Sequence, residues 1–330
     1  MKRKRKSHTR IRISIIIIAI ILPSALAIWT AKAETCAHYT PDYAKTDLLP
    51  ILQKKTPSSA DYEILLQQTG LARPGVEELY ESSQQWKLLG LQDRFYAAAE
   101  VECRRDNLLA RSERLTNFRE LVYDGNPPQL QVASAGMTEA GTLSEFYFMP
   151  TVQTGDILIT FNGHVFGWRS GHAAIVVDAE KRLTLEAIMP GFDSEICSLD
   201  DWQEYPGFAL LRLKGASLEE REQIAAYAQK YLTGLPYSLT AFADSGGEGL
   251  RAVRRDSAGG AFPDADEKGS GDSADCPPPL SGTQCAHLVW YAYRQFGYDL
   301  DSDGGLIVTP YDLYRSDLLE LVQLYGLNHD

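Results

Sequence analysis

Two strand-like runs, "AAIVVDA" (173–179) and "RLTLEAI" (182–188), are separated by only Glu180 and Lys181. Two residues can turn a chain back beside itself, but they cannot carry the crossover that parallel strands need. The pair is therefore expected to form an antiparallel hairpin. "GDILITF" (155–161) and "FALLRLK" (208–214) are further short aliphatic runs bounded by turn residues, and they read as strands of the same sheet. "SLEEREQIAAYAQKYLTG" (217–234) opens with Ser217 and Glu220 at capping-box spacing and stops at Gly234, so it predicts a helix. Two more helices are expected to close the chain. One runs from near Gln284 to Gly297, and the other starts with Thr309 as N-cap and Pro310 at the first helical position. The fold class is α+β, an antiparallel sheet packed on helices.

The chain ahead of this sheet reads differently. Residues 34–122 predict an all-α domain. Ser59 precedes a periodic apolar run that stops at Gly70, and a second helix is expected from Pro74 to Gly90. A longer one is expected from Gln92 to about Arg111, with Phe95, Ala98, Ala99 and Glu102 on one face. No catalytic constellation stands out there, and packing or binding is the expected role. "DGNPPQ" (124–129) marks a linker, so the second domain is expected over 123–330. Within it, residues 243–282 turn to Gly, Ser, Asp and Pro and read as a flexible acidic insertion.

The first residues bear on compartment. "MKRKRKSHTRIR" is basic, "ISIIIIAIILPSALAIW" is apolar, and "AKA" (31–33) offers small residues to a signal peptidase. Residues 1–33 are expected to be a signal peptide cut after Ala33, a retained anchor being the alternative. They hold eight basic residues and no acidic ones, so their removal leaves 24 Lys+Arg against 44 Asp+Glu, a formal charge of −20. So acidic a surface argues against nucleic acid or an anionic membrane as partner. All five cysteines follow the signal, and an odd number of exported cysteines leaves at least one over. Domain locality suggests Cys36–Cys103 and Cys197–Cys276, with Cys285 free. No CxxC or HExxH spacing occurs, and the acidic insertion does not match a calcium loop, so neither metal nor cofactor is expected.

Cys285 is expected in the first turn of its helix, after Thr283 as N-cap. There the unpaired backbone N–H groups and the helix dipole favour a thiolate. Leu288, Val289 and Tyr293 would bury that helix against the sheet. The residue is either a nucleophile or a half-buried structural thiol. A nucleophile needs a base held by a third polar group. His8, His38 and His329 lie near the ends, and His287 is two residues on from Cys285, on another side of the helix. His164 sits in "FNGHVFGW", a possible lid. His172, opening the strand "HAAIVVD", is the preferred base. Glu186 lies on the strand paired back onto it; an acid in so apolar a strand either faces solvent or has a partner such as His172.

The ordered pieces "GDILIT…GHAAIVVD…TLEA…TGLPYSLTAF…QCAHLVWYAYRQFG…VTPYDL" resemble the circularly permuted branch of the NlpC-type papain-like cysteine hydrolases, from about Thr151 to Val322. The resemblance implies a permuted papain-like fold with Cys285 as nucleophile, His172 as general base and acid, and Glu186 as orienter of the imidazole. Tyr237 matches a tyrosine that lines such sites. The Cys285 N–H would be one oxyanion donor, with Tyr237 and Gln284 as candidates for the second. The implied activity is that of an exported cysteine peptidase or amidase on cell-wall peptidoglycan peptides. "QCAHLV" departs from that branch and is similar to the cysteine motif of lecithin retinol acyltransferase-like enzymes, which implies acyl transfer or lipid hydrolysis as the alternative. A non-catalytic cell-surface binding protein is the third reading.

Overall fold

The computed structural model describes residues 39, 41–96, 149–161, 164–165, 168–169, 171–205, 207–242 and 280–327. The expected signal (1–33), Cys36, Cys103, Cys276, the linker and most of the acidic insertion lie outside the described residues. Among the described residues no helix is long and apolar enough to cross a membrane.

The protein is a mixed α+β structure built on a six-stranded antiparallel sheet. Its strands are β1 (Ile157–Thr160), β4 (His172–Asp178), β5 (Leu183–Glu186), β6 (Glu195–Ser198), β7 (Phe208–Leu213) and β8 (Leu319–Tyr325), in the order β6-β5-β4-β1-β7-β8. A separate two-stranded ribbon pairs β2 (His164–Val165) with β3 (Trp168–Arg169). The expected hairpin is present as β4–β5, with Ile175 opposite Leu185 and Arg182 in the left-handed region at the turn. β1 is buried throughout because it is covered on both faces. Ile157 and Ile159 enter one core cluster, and Leu158 enters the other. The first cluster lies under two helices, α5 (Leu218–Tyr231) and α6 (Cys285–Arg294). The second lies under a 3-10 turn, Leu199–Glu204, which contributes Leu199 and Trp202.

Four short helices precede the sheet: α1 (Leu49–Leu52), α2 (Ser59–Thr69), α3 (Arg73–Glu81) and α4 (Lys87–Tyr96). α2 is capped by Ser58 and Asp61 and stops at Gly70, in the left-handed conformation. Gly70 is also where this layer meets the sheet, and a Cβ there would lie 2.0 Å from the Leu324 carbonyl oxygen. Leu324 N donates to Gly70 O, and Ala72 N donates to Val322 O. The far edge of β8 is thus occupied by the link between α2 and α3.

Three expectations are corrected. The single helix from Pro74 to Gly90 is two helices. Ser83 turns left-handed after α3, and the N–H groups of Gln84 and Ser83 close onto the carbonyls of Leu79 and Tyr80. This is the glycine-type helix stop, here built on a serine. The second helix then runs through Gly90. The chain does not close on a helix either: α7 (Pro310–Tyr314) is a single capped turn, and β8 follows it. "LELVQLY" is too leucine-rich to betray a strand; pairing with β7 on one side and residues 70–72 on the other decides it. The N-cap of α6 is Gln284, not Thr283. Its side-chain oxygen accepts from Ala286 N. β6 was not legible in the sequence at all.

Beneath the helical layer lies a buried ion network. Arg212 on β7 forks onto fully buried Asp156, with Nε–Oδ1 and Nη2–Oδ2 both 2.8 Å, and Nη2 also donates to the Thr151 carbonyl at 2.7 Å. Its third nitrogen, Nη1, reaches Glu78 of α3 at 3.2 Å. Asp156 is the acid of "GDI", so a residue of the resemblance has a structural task here. Removing one charge of such a pair strands the other in the interior. Asp156→Asn is expected to lower the unfolding free energy by about 3–5 kcal/mol, measured by chemical denaturation, and a change under about 0.5 kcal/mol would contradict this role.

Candidate functional site

His172 is the first residue of β4, and the turn before it is made by Gly171. Gly171 has φ +69°, and a Cβ there would lie 2.8 Å from the Thr160 carbonyl oxygen and 3.2 Å from the Pro310 ring. Only glycine suits that combination of conformation and space. On the neighbouring strand Glu186 stands opposite Ala174. Ala174 and His172 are two apart on one strand and share a face, so the carboxylate reaches the imidazole diagonally. Glu186 Oε2 lies 2.8 Å from His172 Nε2. Glu186 is fully buried, which excludes the solvent-facing alternative. Its other oxygen accepts from Thr184 Oγ1 at 2.7 Å and from Trp202 Nε1 at 2.9 Å.

The thiol arrives from the other side of the sheet. Cys285 opens α6, and α6 packs on β4 with Leu288, Val289 and Tyr293 all buried. The helix is buried on nearly every side because sheet, α5 and α7 enclose it. Cys285 is a free, buried thiol at the helix N-terminus, 3.4 Å from Gln284 Oε1. It also stands near enough to His172 to influence the charge of the imidazole. Nε2 is engaged by Glu186, so Nδ1 is the ring nitrogen left for the thiol. Burial works against a charged imidazole, but Cys285 and the hydrogen bond to Glu186 outweigh it and hold His172 up at about 9. Thiol, imidazole and carboxylate form one continuous chain.

The remaining candidates fall around this chain. Tyr237 lines the same cleft as Cys285, and burial together with the nearby Cys285 pushes its hydroxyl well above the ordinary phenol range. It is held by a parallel bridge to Thr283, with Thr283 N donating to Pro236 O and Ser238 N to Thr283 O. Gln284 turns its carbonyl to the thiol and gives its Nε2 to the Val308 carbonyl at 2.7 Å, so its amide is occupied as an N-cap and loop tie. The Cys285 N–H, first in its helix, has no carbonyl within that helix to bond. His287 is buried away from the thiol against Thr283 Oγ1 at 3.0 Å, and burial pulls it down to about 4. His164 lies on β2, in the ribbon that the sequence read as a possible lid. Cys197 is buried on β6, and the cysteine suggested as its partner lies outside the described residues.

The cleft encloses about 770 Å³. Its walls include Phe161, Tyr237, Leu239, Ile307, Pro310 and Tyr311, and among the described residues no charged side chain lines it. Among the described residues Asp301, Asp303 and Asp312 bring carboxylate oxygens within 4.8 Å of one another, a spacing that suits a cation. Asp312 is engaged in capping α7, where it accepts from Thr309 N and Oγ1. The sequence reading missed both Thr184 and Trp202. Thr184 was in reach, since it shares a strand face with Glu186. Trp202 comes from a 3-10 turn, where no alternation could point to it.

No family model and no curated protein matches this chain. Among solved structures it is similar to "metalloprotein yiiX from Escherichia coli O157:H7, DUF1105", at 16% identity and TM-score 0.34, over 52% of this chain and 96% of that one. So distant a likeness assigns neither fold nor activity.

The raised imidazole has a consequence for stability. A group held at about 9, against 6.5 when free, contributes fully below pH 6.5 and loses its contribution as pH rises through 9. Glu186→Gln removes a main source of that shift. Between pH 6 and 9.5 the wild type is expected to lose roughly 1–3 kcal/mol relative to the variant, as read from paired denaturation curves. Parallel pH profiles for the two proteins would contradict the pairing.

Proposed function

We propose that this chain is an exported thiol hydrolase with a permuted papain-like domain, cleaving an amide in cell-wall peptidoglycan peptides through an acyl-enzyme. The observation that carries this reading is the thiol–imidazole–carboxylate chain of Cys285, His172 and Glu186. The order of these residues along the chain, histidine strand before cysteine helix, supports the permuted fold, and the basic and apolar leader supports export. In the first step His172 Nδ1 takes the Cys285 proton, and the thiolate attacks the carbonyl carbon to form an S–C bond. The negative charge moves to the carbonyl oxygen, where the Cys285 N–H at the helix start stabilises it, with Tyr237 as the nearest candidate for a second donor. The imidazolium then protonates the leaving amine as the C–N bond breaks. Water, deprotonated by the same ring, attacks the thioester; the S–C bond breaks, the acid departs and the thiol is restored. Glu186 keeps Nε2–H occupied, which fixes the tautomer and stabilises the imidazolium.

One observation favours a second reading. Stem peptides carry free carboxylates, and among the described residues nothing charged lines the cleft to meet them. An apolar acyl group, transferred or hydrolysed as in lecithin retinol acyltransferase-like enzymes, suits those walls better. The thiolate step is common to both. Cys285→Ala is expected to lower turnover by about 10⁴-fold or more with melting temperature unchanged, in an assay of muropeptides beside acyl esters and acyl amides. Unchanged turnover by that variant would reject the mechanism. Release from acyl lipids with intact muropeptides would select the second reading.

A further inference from the structure

A buried carboxylate that serves one partner must have its second oxygen satisfied, or it will turn or protonate. Glu186 meets that need with two donors on Oε1, the Thr184 hydroxyl and the Trp202 indole N–H. Trp202 does more than donate. Its ring lies against His172 with centroids 5.6 Å apart and planes within 18°, a stack on the imidazole face. One side chain therefore touches both members of the pair: it pins the acceptor oxygen of Glu186 and walls the ring of His172. We infer that Trp202 is a positioning residue for this site, turning Glu186 Oε2 to His172 and keeping the imidazole in the plane that presents its other nitrogen to Cys285. This rests on the Cys285–His172–Glu186 reading.

Packing alone would not ask for the indole nitrogen. Trp202 is fully buried beside Leu199, Tyr205 and Phe208, where a phenylalanine would also supply apolar contact. Among the described residues the titratable and polar groups that face His172 are few. Glu186 comes from β5, Cys285 from α6, and Tyr205 stands at 6.1 Å from the 3-10 turn. An N–H aimed into that set acts on the proton chain itself.

The test is the rate at which iodoacetamide alkylates Cys285 at pH 6.5 and at pH 9.5, followed by mass spectrometry of the Cys285 peptide. At the lower pH alkylation depends on a well-placed imidazole to take the thiol proton; at the higher pH hydroxide in solution can take it instead. Trp202→Phe keeps a flat ring and removes the N–H. The rate at pH 6.5 is expected to fall about tenfold, one pH unit's worth of proton affinity, with the rate at pH 9.5 nearly unchanged. Loosened packing would instead expose the thiol and raise both rates. A wild-type ratio of the two rates, or a rise in both, overturns the inference. Should the phenylalanine variant fail to fold, benzothienylalanine placed at position 202 keeps the bicyclic ring without its N–H, and the same two rates decide. His172→Ala serves as the separate control: retention of the wild-type rate at pH 6.5 would sink the Cys285–His172 pairing itself, and the role of Trp202 with it.

Discussion

A carboxylate with no access to water is the constraint around which this site is organised. Glu186 is held in the interior by three donors from three places: the imidazole of β4, a hydroxyl on its own strand, and an indole from the following 3-10 turn. Burying such a charge without partners would cost several kcal/mol or protonate it. Each donor therefore has to be where it is for the strand to fold as it does. The register of β4 on β5, the glycine turn before His172 and the seating of the 3-10 turn on the sheet all answer to that requirement. The imidazole is raised because the arrangement succeeds.

The site also depends on where the two faces of the sheet end. Histidine and glutamate belong to the face covered by Trp202 and Tyr205, whereas Cys285 belongs to the helix on the opposite face. They meet at the rim, where β4 begins and α6 starts. A thiol at the first helical position leans toward the helix N-terminus, and an imidazole at the first strand position stands at the end of its strand. Two element termini at one edge thus do what no element interior could.

Much of this was legible in the sequence, and the reasons are specific. The two-residue link fixed the hairpin, so Glu186 had to fall within reach of the histidine strand. The apolar helix after Cys285 said that the thiol was carried by a buried element. What was hidden depended on tertiary context. β8 reads as leucine-rich helix until its neighbours are known, and Ser83 ends a helix in a conformation that glycine usually marks. The donors behind Glu186 were hidden because a tryptophan in an acidic turn, "DDWQE", looks like a surface anchor until the sheet folds beneath it.

The bridge between Tyr237 and Thr283 carries a further meaning. Forty-six residues apart in the chain, these two positions are clasped side by side, with backbone hydrogen bonds on both flanks. Everything between them is a closed excursion whose ends are already paid for. Lengthening such an excursion raises its closure entropy only logarithmically. Natural variation can therefore lengthen or shorten the stretch after Leu239 while Tyr237 and Thr283 keep their places, so novelty can accumulate beside the chemistry without disturbing it.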